Sequence, residues 1–300
     1  MSLTFIVDRD FNNSRLDKWF KEKVLNIPQS LIEKIIRKKK VKVNNKKTKT
    51  SYRIKEGDTI KVFDIENYKS SVIKKNIKYI PSTKEKNKYG NFIIENNENF
   101  IVLNKPNGIA VQGGTKSFKN LIDILNNTKF FEDTKPYIVH RLDKETSGII
   151  IVAKNKKYAQ LFTSLFRIRK IHKTYIAITN GILKFKKKTL IDNLILEENK
   201  KKIVQKAISH IKVLKTSDSY SLVELNPITG RKHQLRKQLF KIGSPIVGDT
   251  KYSFIKNKKE SKLMLHARKI KFMINNYKYE FVADYDTNFN NFIKKKFKNY

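Results

Sequence analysis

The 300-residue sequence predicts an α+β fold: a domain on a mixed, largely antiparallel sheet, preceded by a small α/β module. Three observations carry this. Apolar runs of strand length dominate residues 91–300, and helical patterns fall among them without the regular strand–helix alternation of a parallel sheet. Residues 1–63 have a pattern of their own, two helices followed by short strands. Between these stretches, residues 64–90 lose clear periodicity. The length suits about two domains with room for a sizeable core.

In the first module, Leu16, Trp19 and Phe20 lie at helical spacing. A second helix is expected from Ser30, where Ser30-Leu31-Ile32-Glu33 fits a capping box. Its apolar face is Leu31, Ile32, Ile35 and Ile36; Lys34, Arg37 and Lys38 occupy the other. A strand at Val41–Val43 leads into an Asn44-Asn45 turn, and Gly57-Asp58 precedes a strand at Thr59–Phe63. This small, one-sidedly basic unit suits RNA docking, with Arg15, Lys34, Arg37 and Lys38 as candidate contacts. The plainer reading is a solvated basic helix face. Residues 64–90, rich in Lys, Asn and Ser and containing Pro81, read as a basic linker. Such a tether raises the effective concentration of the second domain at the RNA.

The second domain, residues 91–300, opens with a hairpin pattern, Phe92–Ile94 and Phe100–Leu103. A turn at Lys105-Pro106-Asn107-Gly108, a Gly113-Gly114 loop and a short helix over Leu121–Leu125 follow. A strand is expected over Ile149–Ala153, a helix over Lys156–Arg169 and a strand over Thr174–Thr179. Lys187–Lys202 reads as a charged loop. Strands follow near Ala207–Leu214 and Ser221–Leu225, then a basic helix over Arg231–Lys241, then strands near Ile270–Met273 and Tyr277–Val282.

Composition narrows the function. The formal net charge is +39 and the pI about 10.1, a field that attracts polyanions and favours nucleic acid as partner. Part of that excess follows from a general abundance of Lys, Asn and Ile. With no Cys, disulfides and Cys-ligated zinc are excluded. The five histidines, at 140, 172, 210, 233 and 266, show no i, i+3 or i, i+4 pairing, so no metal site is expected. No apolar run is long enough to span a bilayer, and MSLTFIVDRD lacks a signal-peptide pattern; a soluble, cytoplasmic protein with no membrane partner is expected.

The most informative stretch is HRLDKETSGIIIVAKN, His140–Asn155. It sets Asp143 between Arg141 and Lys144, then a small Thr146-Ser147-Gly148 turn, then a buried strand. A polar loop at the end of a rigid strand can hold a reactive side chain in place. A surface ion pair would give the same local pattern.

This stretch resembles the HRLD-x-x-TSG-x-x-x-x-AK signature of the RluA-type pseudouridine synthases. The resemblance implies a pseudouridine synthase domain with a central cleft, with Asp143 as the catalytic aspartate. It also implies that Arg141 enters the RNA stack as the target uridine flips out; the reacting base cannot be reached inside a stacked helix. Lys173-Thr174-Tyr175-Ile176-Ala177 resembles the family's KxYxA motif, whose tyrosine contacts the target base. On its own, Tyr175 would read as a half-buried strand aromatic. Thr229–Arg236 resembles TGRxHQ(I/L)R, which makes Arg236 the partner of the catalytic carboxylate and Arg231 a phosphate or structural contact. Leu263–Ala267 completes the pattern, with His266 structural. Lys144 stands where the family commonly has arginine, and Lys237 and Ser244 where histidines are usual. RLDKWF…IPQSLIEKIIRKKKVKVNNK…IKEGDTIKV resembles an S4 domain, which binds structured RNA.

Together these likenesses imply isomerisation of specific uridines in 23S ribosomal RNA by an aspartate-dependent reaction. Reactant and product are isomers, so no cofactor or metal is implied. The expected partner is 23S RNA or a large-subunit assembly intermediate, and the expected state a monomer. The alternatives are a non-catalytic RNA-binding or ribosome-assembly protein, or a family member acting on other large-subunit or transfer RNA uridines.

Overall fold

The computed structural model describes residues 2–71, 79–113, 119–198, 201–254 and 262–297. The chain forms two compact units, residues 1–77 and 78–300.

The first unit contains β1 (Ser2–Ile6), α1 (Leu16–Lys23), α2 (Gln29–Arg37), β2 (Val41–Val43), β3 (Lys46–Lys47) and β4 (Thr59–Phe63). Its antiparallel sheet has the order β1-β4-β2-β3. Leu16, Trp19 and Phe20 of α1 share a core with Ile32, Ile35 and Ile36 of α2 and with Val41, Ile60 and Val62 of the sheet. Asn44 and Asn45 both take positive φ, +48° and +61°, as the tight β2–β3 turn requires. The capping box expected at Ser30 is not formed. Pro28 is the N-cap and its carbonyl accepts from Leu31 and Ile32, so Ser30 already lies inside α2. A capping box does open α3 (Thr83–Gly90), where Ser82 and Glu85 satisfy each other's backbone N–H. That helix lies in the stretch read as linker. Tyr89 on it is buried against the core of the second unit. Ile65, at the other end of the stretch, is buried in the first unit. Of residues 64–90, positions 72–78 lie outside the described residues.

The second unit continues with β5 (Ile93–Asn96), β6 (Phe100–Lys105), α4 (Leu121–Leu125), β7 (Tyr137–Ile138), β8 (Ser147–Ala153), α5 (Lys156–Arg167) and β9 (His172–Asn180). Then come β10 (Lys187–Glu198), β11 (Lys201–Thr216), β12 (Tyr220–Pro227), α6 (Gln234–Lys241), β13 (Leu265–Ile274), β14 (Tyr277–Val282) and α7 (Thr287–Lys296). The sheet order is β10-β11-β12-β9-β13-β8-β6-β5, with β14 on β13 and β7 on β8. One pairing is parallel, β13 with β8; the others are antiparallel. The sheet is therefore mixed and largely antiparallel. One expectation is corrected and one element is additional. Residues 187–198 and 201–202 lie in the paired strands β10 and β11 rather than in a loop; apolar residues on both faces of β10 mask its period of two in the sequence. An unexpected helix, α7, closes the chain. Asp286 caps it by accepting from the Phe289 N–H, and Phe289, Ile293 and Phe297 are buried.

The parallel pairing joins two halves of the sheet through a short register, His266 with Ser147 and Ala267 with Gly148. Gly148 has φ +107°, and a Cβ there would lie 2.3 Å from the Ala267 carbonyl oxygen, so only glycine fits this approach. Beside it, Ser147 Oγ lies 2.9 Å from Nδ1 of the fully buried His266, whose Nε2 lies 3.1 Å from the Ala283 carbonyl oxygen. The carbonyl can only accept, so Nε2 carries the proton and Nδ1 accepts from Ser147.

Burial pushes the His266 pKa down to about 4. His140 is likewise pushed down to about 3, by burial and then by Lys173. Unfolding frees both rings to protonate near pH 6.5, so the unfolded state binds more protons below that value. Stability is therefore fully present above pH 6.5 and falls as the pH drops toward the folded values. Between pH 7 and pH 5 His266 alone should cost about 2 kcal/mol. Urea denaturation at both pH values checks this, and His266→Gln should remove that share of the loss. An unchanged pH dependence in the variant would refute the assignment.

Candidate active site

Asp143 sits on the loop that enters β8, every residue of which is buried. The loop is fastened from both sides. His140 Nε2 accepts from the Ile151 N–H at 2.9 Å, and its ring packs on Phe166 with centroids 4.5 Å apart. Leu142 is buried, while Arg141 faces solvent. On the other side, the Lys105–Gly108 turn clasps the residues after Asp143. Gly108 N–H donates to the Lys144 carbonyl at 2.9 Å, and the Asn107 amide donates to the Glu145 carbonyl. Lys105 is wholly buried and donates to the carbonyls of Pro106, Ile109 and Lys144 at 3.0, 3.0 and 3.2 Å. Burial brings its pKa down to about 7, against the pull of Glu145 and Asp143. The sequence marks this segment only as a turn. Nothing local in it signals that the lysine is an internal clamp.

The Asp143 carboxylate borders a cavity of about 790 Å³, and is the one carboxylate among its described lining residues. Arg141, Tyr175, Arg231 and Arg236 line the same cavity, so the structure brings together every site residue predicted in the second unit. Tyr175 reaches it from β9. Burial, reinforced by Asp143, holds its phenol well above the usual range, so the hydroxyl keeps its proton. Arg231 is anchored by an Nε–H bond to the Lys206 carbonyl at 3.2 Å.

Arg236 stands beside Asp143 as expected, but it has a closer partner. Its Nη1 lies 3.8 Å from Asp143 and 3.5 Å from Glu145, but its short, two-point partner is Asp249, at 2.7 and 2.8 Å. Asp249 also accepts from the Lys251 and Tyr252 N–H groups, both at 2.9 Å. Burial would raise the Asp249 carboxyl, but Arg236 and these N–H groups hold it below its ordinary value. Arg236 is thus a fixed cation beside Asp143 rather than its clasped mate. The Nε–Nη2 edge of the guanidinium forks onto Asp249 while Nη1 faces Asp143, and spacing along the chain does not say which carboxylate takes the fork.

Sequence reasoning leaves two further residues unassigned. His233 has φ +54° and directs Nε2 to within 3.7 Å of Asp143, while Nδ1 lies 3.0 Å from the Tyr252 hydroxyl. Burial lowers the His233 pKa even though Asp143 pulls it up. Gln234 wires the preceding loop in place: Oε1 accepts from Thr229 at 2.7 Å and from the Arg231 N–H at 3.0 Å. Its Nε2 donates to the Ile208 carbonyl and Ser209 Oγ, at 3.0 and 2.8 Å. The Thr229–Arg236 segment is therefore a self-bonded scaffold that presents His233 and Arg236.

Residues 99–241 match the model of the RNA pseudouridylate synthase family, and residues 14–60 match that of the S4 domain. A ribosomal large subunit pseudouridine synthase C of Buchnera aphidicola (subsp. Schizaphis graminum) is 30% identical over 304 aligned positions, covering 96% of this chain and 95% of the relative. The chain belongs to the RNA pseudouridylate synthase family. A synthase C of Rickettsia felis is 36% identical over 276 positions, covering 86% and 88%. Among solved structures, human RNA pseudouridylate synthase domain containing 4 superposes with a TM-score of 0.61 at 27% identity, covering 70% of this chain and 94% of that one. This pseudouridine synthase thus carries an S4 domain in its first unit. There Lys34 and Arg37 are exposed on α2 and Lys38 is exposed at its C-cap, and Arg15 forks onto Asp17 at 3.0 and 2.6 Å. No helix among the described residues is long and apolar enough to cross a membrane.

Proposed function

We propose that this synthase converts specific uridines of large-subunit 23S ribosomal RNA into pseudouridine, as a monomer, with Asp143 as the catalytic group. The observation that carries the reading is a lone carboxylate at the edge of a cationic cavity, beside a protonated tyrosine and a fixed arginine. The C1′–N1 bond breaks, the uracil turns, C1′ bonds to C5, and the C5 hydrogen is replaced by one on N1. Asp143 acts at the sugar or base during this exchange, and Arg236 keeps a positive field on it. Tyr175 offers an aromatic face to the flipped uracil. The S4 domain, through Arg15, Lys34, Arg37 and Lys38, supplies affinity. The large-subunit target is supported by the names of the relatives, which align over nearly the whole chain. A pseudouridine map of 23S RNA from cells with and without the protein is expected to differ at a few uridines. Identical maps would overturn the target, and loss of sites in transfer RNA instead would reassign it.

Arg141 is exposed at the mouth of the cavity, two residues before Asp143. A guanidinium is planar and can stack in the gap left by an extruded base. Arg141→Ala should therefore slow reaction strongly on a stable stem-loop and much less where the target uridine is already unstacked. Equal losses on both RNAs would place Arg141 in the chemical step or in folding.

A further inference from the structure

The cavity holds more positive charge than the chemistry at Asp143 uses. Six of its lining residues are Arg or Lys: Arg141, Arg167, Arg169, Lys173, Arg231 and Arg236. Arg236 is committed to Asp249 and Arg231 to a backbone carbonyl. The side chains of Arg167, Arg169 and Lys173 form no hydrogen bond or ion pair with a described residue. Arg167 and Arg169 are exposed, at the C-terminal end of α5. Arg169 takes φ +61° in the position that normally favours glycine, so the chain keeps a long cation there at some backbone cost.

Lys173 differs from its neighbours. It is half-buried on β9, and its Nζ lies 4.0 Å from where a Cβ on Gly230 would stand. Burial lowers its pKa, and no carboxylate acts to raise it. It shares a strand face with Tyr175, two residues along, about 6.6 Å away by strand geometry. That is comparable with the separation of a nucleobase from its own phosphate. A neutral uracil would give these unpartnered cations no counter-charge, whereas a phosphodiester would supply one.

We propose that Lys173, backed by Arg167 and Arg169, forms a phosphate subsite that grips the RNA backbone at the flipped nucleotide. The subsite rests on the reading of Tyr175 as the contact for the flipped base. Its role is to bind the substrate and to fix the sugar relative to Asp143, leaving bond breaking to that carboxylate.

The test uses the full-length protein and an in vitro transcript of 23S RNA. Lys173→Met keeps the stem volume and removes the charge, so its melting temperature should match or exceed that of the wild type. It should raise KM about tenfold and lower kcat by less, and flatten the salt dependence of log Kd by roughly 0.7. Lys173→Arg should recover most of the affinity. Arg167→Gln with Arg169→Gln should weaken binding further, about threefold. Phosphate-ethylation interference on the same transcript decides the contact. Ethylation beside the modified uridine should block wild-type binding and leave Lys173→Met binding unaffected. The same interference pattern in both proteins, or an unchanged KM in a folded variant, overturns the subsite. If the wild type forms no pseudouridine, the functional reading falls, while the binding arm still reports on Lys173.

Discussion

Asp143→Asn is expected to abolish pseudouridine formation while leaving RNA affinity nearly intact. The substitution keeps the shape of the side chain and its place on a loop clasped by Lys105, Asn107 and His140. It removes only the negative charge and the nucleophilic or basic oxygen. Binding surfaces elsewhere are untouched, so the loss falls on the transition state. A fall of about 10⁴-fold or more corresponds to roughly 5–6 kcal/mol of barrier. Single-turnover tritium release from RNA labelled at uridine C5 measures it. Turnover by the purified Asn variant within tenfold of wild type would remove Asp143 from the chemistry.

The second large effect concerns Asp249. Its carboxylate is completely buried and holds Arg236 by two short bonds. Asp249→Ala would leave a nearly buried guanidinium without its main partner, at a cost of about 3–5 kcal/mol of stability. Activity should fall with it, because Arg236 would lose its fixed position 3.8 Å from Asp143. Arg236→Met should cost a similar amount for the converse reason. The double variant Arg236→Met with Asp249→Leu separates the two roles. Replacing both charges by apolar groups should restore much of the stability and none of the activity. Recovered catalysis in that protein would mean that the ion pair serves packing alone.

Elements with a clear local pattern are legible in the amino-acid sequence. The strand at Ile149–Ala153 and the helix at Leu121–Leu125 lie where their patterns place them. Apolar runs bounded by turn residues define such elements locally. The β10–β11 hairpin is not legible in this way, because residues 190–196 are apolar at 190, 191, 194, 195 and 196. Leu190 packs inward, while Ile191 and Ile195 on the opposite parity are 61% and 55% exposed, so the apolar residues of the sequence do not mark which parity is buried. The C-terminal helix is hidden by its asparagines, which have low intrinsic helix preference. At the site, motif likeness selects Asp143, Tyr175, Arg236 and Arg141, and all four border one cavity. What motif likeness does not supply is partnership. Whether Arg236 forks onto Asp143 or Asp249, or whether Lys105 points into the protein, depends on contacts between segments far apart in the chain.

The short parallel register between β8 and β13 has a consequence for evolution and engineering. Asp143 is carried by the β8 side of that junction, and Tyr175, His233 and Arg236 by the β9–α6 side. Hydrophobic clusters lie on both sides, and one that joins Phe100, Ile149, Ile151 and Phe162 to Ile270 and Phe272 of β13 spans the junction. The close approach of the two strands at the junction itself is set by Gly148, Ser147 and His266, none of which is predicted to touch RNA. Substitutions at this junction should act as a geometric dial, changing turnover by resetting the distance between carboxylate and guanidinium. RNA selection would be left to the surfaces on either side.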